Sequence, residues 1–191
     1  MLFAWLLACT NSPSTHDSAT VGSEATTCFD ATPSIEMGEG ERTFELFEEP
    51  YESMMIHGPQ GGWHILASLQ IHGMMDIVEV QYTIEHLATG VLVSDNNYRL
   101  AVISEGDCTG YYPGMYGYLS VSPLYDGDLD TPPELLGGEQ LRIQFRVNDC
   151  NPNQEAAGDC VRDERWVETA LEVLATLDPV DVVEDTEDTA N

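Results

Sequence analysis

Through the middle of the chain, apolar and polar residues alternate with period two, in short runs separated by clusters of Gly, Pro and Asp. The clearest run is 63–71, where Trp63, Ile65, Ala67, Leu69 and Ile71 share one face. His64, Ser68, Gln70 and His72 share the other, with Leu66 as the exception. In 77–85 the residues Val78, Val80, Tyr82 and Ile84 point one way. In 140–148 the set is Leu141, Ile143, Phe145 and Val147. Shorter candidate strands are 43–47, 53–57, 91–93, 98–103 and 115–121, with Asp95, Asn96 and Asn97 read as a turn. Segment 165–177 fits a helix through Trp166, Ala170, Leu174 and Leu177. It also fits a strand through Val167, Thr169, Leu171, Val173, Ala175 and Leu177, and its β-branched content favours the strand. Eight or so strands at this spacing predict an all-β domain over 28–177, an Ig-like Greek-key β-sandwich.

Between the candidate strands 53–57 and 63–71 lie Gly58, Pro59, Gln60, Gly61 and Gly62. Pro59 suits the second position of a type I turn, Gly61 the fourth, and Gly62 a following residue with positive φ. If 58–62 form a five-residue hairpin loop, His57 falls opposite Trp63 and Ile56 opposite His64, and the two histidines face opposite ways. A bulge or a six-residue loop would instead pair His57 with His64.

Charge narrows the partners. The chain has 191 residues, with 34 acidic residues against 6 basic ones, a net charge of -28. All six bases are Arg, at positions 42, 99, 142, 146, 162 and 165. Nucleic acid is excluded as a partner, because displacing counterions takes a basic footprint. A polybasic hold on anionic lipid is excluded for the same reason.

The two ends differ from the middle. Residues 1–8 are apolar and run to Cys9, after which Thr10, Asn11, Ser12 and Pro13 turn polar. The Leu6-Leu7-Ala8-Cys9 stretch resembles the lipobox of bacterial lipoproteins. That resemblance implies that 1–8 is a short signal peptide and that Cys9 carries the lipid. It implies a cell-envelope location, with Thr10 after the cysteine favouring the outer membrane, and a membrane partner reached through the N-terminal lipid. Residues 9–27, rich in Ser, Thr, Ala and Gly, read as a flexible tether. Residues 178–191 hold six acids and no base and read as a disordered acidic tail. The Gly-Pro-Gln-Gly-Gly-Trp-His turn at 58–64 resembles one found in exported sandwich domains of bacterial lipoproteins, which brings no catalytic residues with it.

Four cysteines remain, Cys28, Cys108, Cys150 and Cys160, an even number in a chain expected outside the cytoplasm. Two disulfides are the natural reading. Cys150 with Cys160 is favoured because the intervening segment is loop-like and the closure short. Cys28 would then join Cys108.

Candidate chemistry is thin. Imidazole and thioether groups at His57, His64, His72, Met54, Met55, Met74 and Met75 suit copper. A five-residue loop would separate His57 from His64, however, and His64 and His72 lie ~27 Å apart along one strand. Hard oxygens suit calcium at Asp126, Asp128 and Asp130 with Glu134, or at Asp149, Asn151, Asn153, Glu155 and Asp159. Neither set has EF-hand spacing. Tyr111, Tyr112, Tyr116 and Tyr118 surround Pro113 and Gly114 and could stack against a glycan or a protein partner, and Gln60 stands at the tip of the turn. No nucleophile elbow, phosphate loop or His-Glu-x-x-His motif is present. The expectation is a non-catalytic binding or interaction module without a cofactor. An extracytoplasmic protein handling copper or calcium is the alternative.

Overall fold

Strand 63–72 is the hub of the sheet. In the computed structural model, which describes residues 28–58, 61–124 and 131–178, it is β4. The strands are β1 (Ser34–Glu39), β2 (Glu45–Leu46), β3 (Glu52–His57), β4 (Trp63–His72), β5 (Ile77–His86), β6 (Val91–Ala101), β7 (Ile103–Gly106), β8 (Thr109–Tyr118), β9 (Gln140–Asn148) and β10 (Val167–Leu177). Two short helices, α1 (Pro132–Leu136) and α2 (Pro152–Ala157), flank β9. On one side β4 pairs along its length with β8. On the other it pairs with β3 through Trp63–Ile65 and with β1 through Ser68–His72.

All ten strands belong to one sheet, in the order β2-β1-β4-β3-β10-β9-β5-β6, with β8 and β7 on the far side of β4. Every pairing is antiparallel except β3 with β10. The sheet curls until its halves face each other. Tyr82 of β5 donates its phenol O–H to the Ile65 carbonyl of β4 at 3.2 Å. A Cβ on Gly117 of β8 would come within 2.7 Å of Tyr82 and Ile84. At the open seam Ser120 N–H donates to the Val93 carbonyl at 2.7 Å, and the Tyr98 hydroxyl of β6 donates to the Tyr116 carbonyl of β8. The fold is therefore all-β as expected, with its two layers made from one continuous sheet.

Between the layers the predicted inward faces meet. Ile65, Ala67, Leu69 and Ile71 of β4, Tyr82 and Ile84 of β5, and Leu141, Ile143, Phe145 and Val147 of β9 are fully buried. Tyr82 and Phe145 pack edge to face, ring centroids 4.8 Å apart. Burial pushes the Tyr82 phenol far up, and the Tyr98 phenol, with Tyr118 and Tyr112 beside it, up to about 12.

Several local expectations fail for identifiable reasons. Asp95, Asn96 and Asn97 do not turn the chain. They continue β6, paired with Thr83, Tyr82 and Gln81 of β5. Asp95 accepts from the Gln81 amide and Asn96 donates to the Ser94 hydroxyl, so polar residues serve this sheet-edge strand as well as they would a turn. Strand 115–121 starts earlier, at Thr109, because a bulge absorbs Pro113 and Gly114: Ala67 pairs with Met115, but Leu69 pairs with Tyr112. The segment between Cys150 and Cys160 is not a loop throughout. Asn151 accepts from the Asn153 and Gln154 amides while Gln154 reaches back to the Asn151 amide, a reciprocal cap that starts α2.

Disulfides join Cys28 to Cys108 and Cys150 to Cys160. Close to both lies a buried ion pair. Arg165 grips Asp149 with two donors, Nε at 2.9 Å and Nη2 at 2.7 Å. Its remaining donors reach the Ala31 and Gly73 carbonyls, and Asp149 also accepts from the Met75 amide. One charged group thereby ties together the start of the body, the end of β4 and the end of β9.

Candidate functional site

The face of β4 that points away from the core is not plain solvent. Gly38 of β1 lies beside Ser68 of β4, and a Cβ on Gly38 would come within 2.1 Å of the Glu45 carbonyl oxygen. The chain after β1 can therefore cross close above the sheet, helped by the positive φ of Gly40. Ser68 holds that crossing. Its hydroxyl donates to the Gly40 carbonyl at 2.7 Å and accepts from the Gly114 amide, in the β8 bulge, at 3.1 Å. Glu41 and Arg42 then form a wall above β4.

Against this wall lies a recess of about 280 Å³ bordered by Ile56, His64, Leu66 and Tyr116, with His57 and Gly58 at the hairpin end. His64 is its buried polar residue, 4% exposed. The Tyr116 ring meets its imidazole edge-on at 4.7 Å and the Tyr118 ring at 6.2 Å. Tyr116 and Tyr118 are themselves stacked, 5.8 Å apart and 15° from parallel, and both are about half exposed. Desolvation holds the His64 imidazole below its ordinary range, outweighing the opposing hydrogen bond to the Gly62 backbone; nearby His57 lowers it further. The floor is thus an imidazole biased toward its neutral form, one wall carries the charges of Glu41 and Arg42, and the others are aliphatic and aromatic.

The hairpin loop closes as its length requires. Gly61 N–H donates to Gly58 at 3.0 Å and Gly58 N–H to Gly62 at 2.9 Å. Both Gly61 and Gly62 have positive φ, at 75° and 131°. Gln60 lies outside the described residues. Ile56 pairs with His64 and His57 with Trp63. His57 packs its ring against Trp63 at 5.0 Å, whereas His64 packs against the tyrosines. Both histidines border the same recess, yet each imidazole has an aromatic partner on its own face.

The other candidate sets are dispersed. Met55 and Met74 are fully buried in the core while Met54 is exposed. His72, at the far end of β4, lies 3.9 Å from Glu36. In the second acidic cluster Asp149 is consumed by Arg165 and Asn151 by its helix cap. Asp126, Asp128, Asp130 and Cys9 lie outside the described residues. Among the described residues, no three His, Cys, Asp or Glu side chains gather as a metal site. The four tyrosines do not form one surface either. Tyr112 lies opposite Leu69 and packs on the core, and Tyr111 lies beside Gln70. Only Tyr116 and Tyr118 of the four border the outer side of His64. The wall residues Glu41 and Arg42 and the strut Ser68 had no sequence signal beyond the glycines at 38 and 40.

No protein-family model and no curated protein matches the chain. Among solved structures it is similar to the CooA pilin subunit from enterotoxigenic Escherichia coli, at 11% identity and a TM-score of 0.35, over 76% of this chain and 99% of that one. A likeness at that score carries no argument about function. The two disulfides are compatible with an exported, extracytoplasmic protein.

Proposed function

We propose that this chain is a non-catalytic binding module of the bacterial cell envelope, held to the outer membrane by lipid on Cys9, and that it takes a saccharide unit in the recess outside β4. The observation that carries this reading is the recess itself, with Tyr116 and Tyr118 exposed beside a buried, neutral His64. Aromatic faces with few, fixed polar groups are the usual lining of small-ligand sites. A sugar ring offers C–H groups to the Tyr116 face and hydroxyls to His64, Arg42 and Glu41. The recess is near the small end of the ~300–1,000 Å³ range of such pockets, which fits one ring of a longer glycan. The net charge of -28 adds solubility, not specificity.

A glycan array followed by calorimetry on the best ligand tests the site. Tyr116→Ala combined with Tyr118→Ala should abolish measurable binding with only a small drop in melting temperature, since both side chains are about half exposed. Equal capture by the wild-type and doubly substituted chains, or capture of no saccharide by either, would sink the reading. The anchor has its own check: palmitate labelling in cells should disappear with Cys9→Ala.

A further inference from the structure

The six arginines are not used alike. Arg142 bridges Glu85 and Glu172, Arg162 pairs with Glu79 and donates to the Cys150 carbonyl, and Arg165 is locked to Asp149. Arg42, in the wall of the recess outside β4, makes no ion pair among the described residues, and neither does the pair Arg99 and Arg146, although the chain has 34 acids. Both are exposed, on the outer surface of the half-sheet opposite β4.

Strand register brings these two together. Arg99 of β6 lies opposite Glu79 of β5, and Arg146 of β9 lies opposite Gln81, two residues further along the same strand and on the same face. Two strand spacings and two residues put their Cα atoms ~12 Å apart, within reach of two long side chains leaning toward Gln81. Both border a groove of about 470 Å³ with Glu79, Gln81, Asn97 and Trp166. The guanidinium of Arg146 lies over the Trp166 ring at 4.5 Å, and that of Arg162 is 5.7 Å from the same ring. The indole thus holds Arg146 in place without neutralising it.

The acids around the groove do not fill this role. Glu79 is bound by Arg162, and Asp95 accepts from the Gln81 amide. Glu168 lies across from Arg146 on β10 without pairing with it. What remains is two forked donors and the Asn97 amide facing a common space.

We propose that this groove binds the oxyanion of a small ligand, a carboxylate or a phosphate, between Arg99 and Arg146. A guanidinium offers parallel N–H donors that match either group. The net charge of -28 repels polyanions at long range, so the ligand carries one anionic group on an otherwise neutral body. The site is separate from the recess outside β4 and does not depend on what binds there.

NMR of the full chain can read it directly, through the Arg Nε–H signals and the Trp166 indole N–H. Titration with inorganic phosphate and, separately, with acetate, at ionic strength held constant with chloride, should give saturable shifts at Arg99, Arg146 and Trp166. The anion that saturates at the lower concentration identifies the group. Arg99→Gln should weaken that binding by about tenfold or more. Arg99→Lys, which keeps the charge and loses the fork, should fall between. Arg146→Gln gives the same test from the other strand. Shifts that stay linear in both anions, or saturation unaltered in folded Arg99→Gln and Arg146→Gln, would overturn the proposal.

Discussion

Two polar centres in this molecule are buried to a similar depth and built in opposite ways. At the disulfide end, Arg165 and Asp149 are closed on themselves: each donor or acceptor is matched, by the other or by the backbone at Ala31, Gly73 and Met75. Outside β4, His64 is almost as buried, but beyond its bond to the Gly62 backbone its neighbours are ring edges and a recess open to solvent. A centre whose hydrogen bonds are all internal can only hold the fold. One whose polar group faces open space can also take a ligand. The chain thus holds two kinds of polar centre: a saturated clamp near the cysteines, and on the hub strand an imidazole bonded to the Gly62 backbone that borders an open recess.

The sharpest way to break that contrast is to open the clamp. Arg165→Ala leaves the Asp149 carboxylate fully buried with the Met75 amide and no counter-charge. The expected loss is about 3–5 kcal/mol, the usual cost of orphaning a buried charge. Urea unfolding should show it as a lower midpoint at unchanged slope. Replacing both partners, Arg165→Met with Asp149→Leu, should recover a good part of the loss, because the penalty lies in the orphaned charge. A loss in Arg165→Ala below about 1 kcal/mol, the worth of an ordinary surface pair, would show that the pair is not the clamp described above.

A smaller effect sharpens the other side. Ser68 is fully buried on the outer face of β4, and its hydroxyl carries both the Gly40 carbonyl and the Gly114 amide. Ser68→Ala should cost about 1–3 kcal/mol by leaving those backbone groups unpaired. It should also loosen the wall that carries Glu41 and Arg42, so saccharide affinity should fall with stability, whereas Arg165→Ala should leave the affinity of the folded chain intact. Hydrogen exchange at the Gly114 amide, the donor that loses its acceptor, follows the change locally.

How much of this could be read from the chain depends on how many faces of a residue's environment its neighbours in sequence control. The inward faces of β4, β5 and β9 were legible because period-two alternation and burial coincide at Ile65, Tyr82 and Phe145. The register of His57 and His64 was legible because the length of a hairpin loop fixes pairing on both flanks. β6 and β8 were misread where residues of turn type sit inside strands. Asp95, Asn96 and Asn97 are tolerated beside an outer edge, and Pro113 is placed in a bulge, where its missing N–H breaks no ladder. β1 escaped notice because its burial does not alternate: Met37 and Gly38 are both covered, one by the core and the other by the crossing chain. The Asp149–Arg165 clamp has no sequence signature, being one acid among 34 and a base sixteen positions on. The recess outside β4 was half legible, since His64 and Tyr116 stood out as residues while the wall that makes them a site comes from a long-range crossing.

The mildest test uses pH and addresses the recess alone. Desolvation lowers the His64 pKa in the folded chain, while in the unfolded chain the imidazole returns to its ordinary ~6.5. Between the lowered folded value and ~6.5 the unfolded state therefore holds more protons than the folded one. By linkage, stability rises with pH across that window, and His64 withdraws support as pH falls through it. Above ~6.5 both states are neutral there and His64 contributes no slope. His64→Phe keeps an aromatic ring against Tyr116 and removes the proton. Its stability relative to wild type should be flat above ~6.5, improve across the window below it, and level off once pH passes the folded value, measured by urea midpoints across the series. A difference that stays constant with pH would mean that the imidazole is not held neutral at the floor of the recess, and the contrast with the closed clamp would lose its electrostatic half.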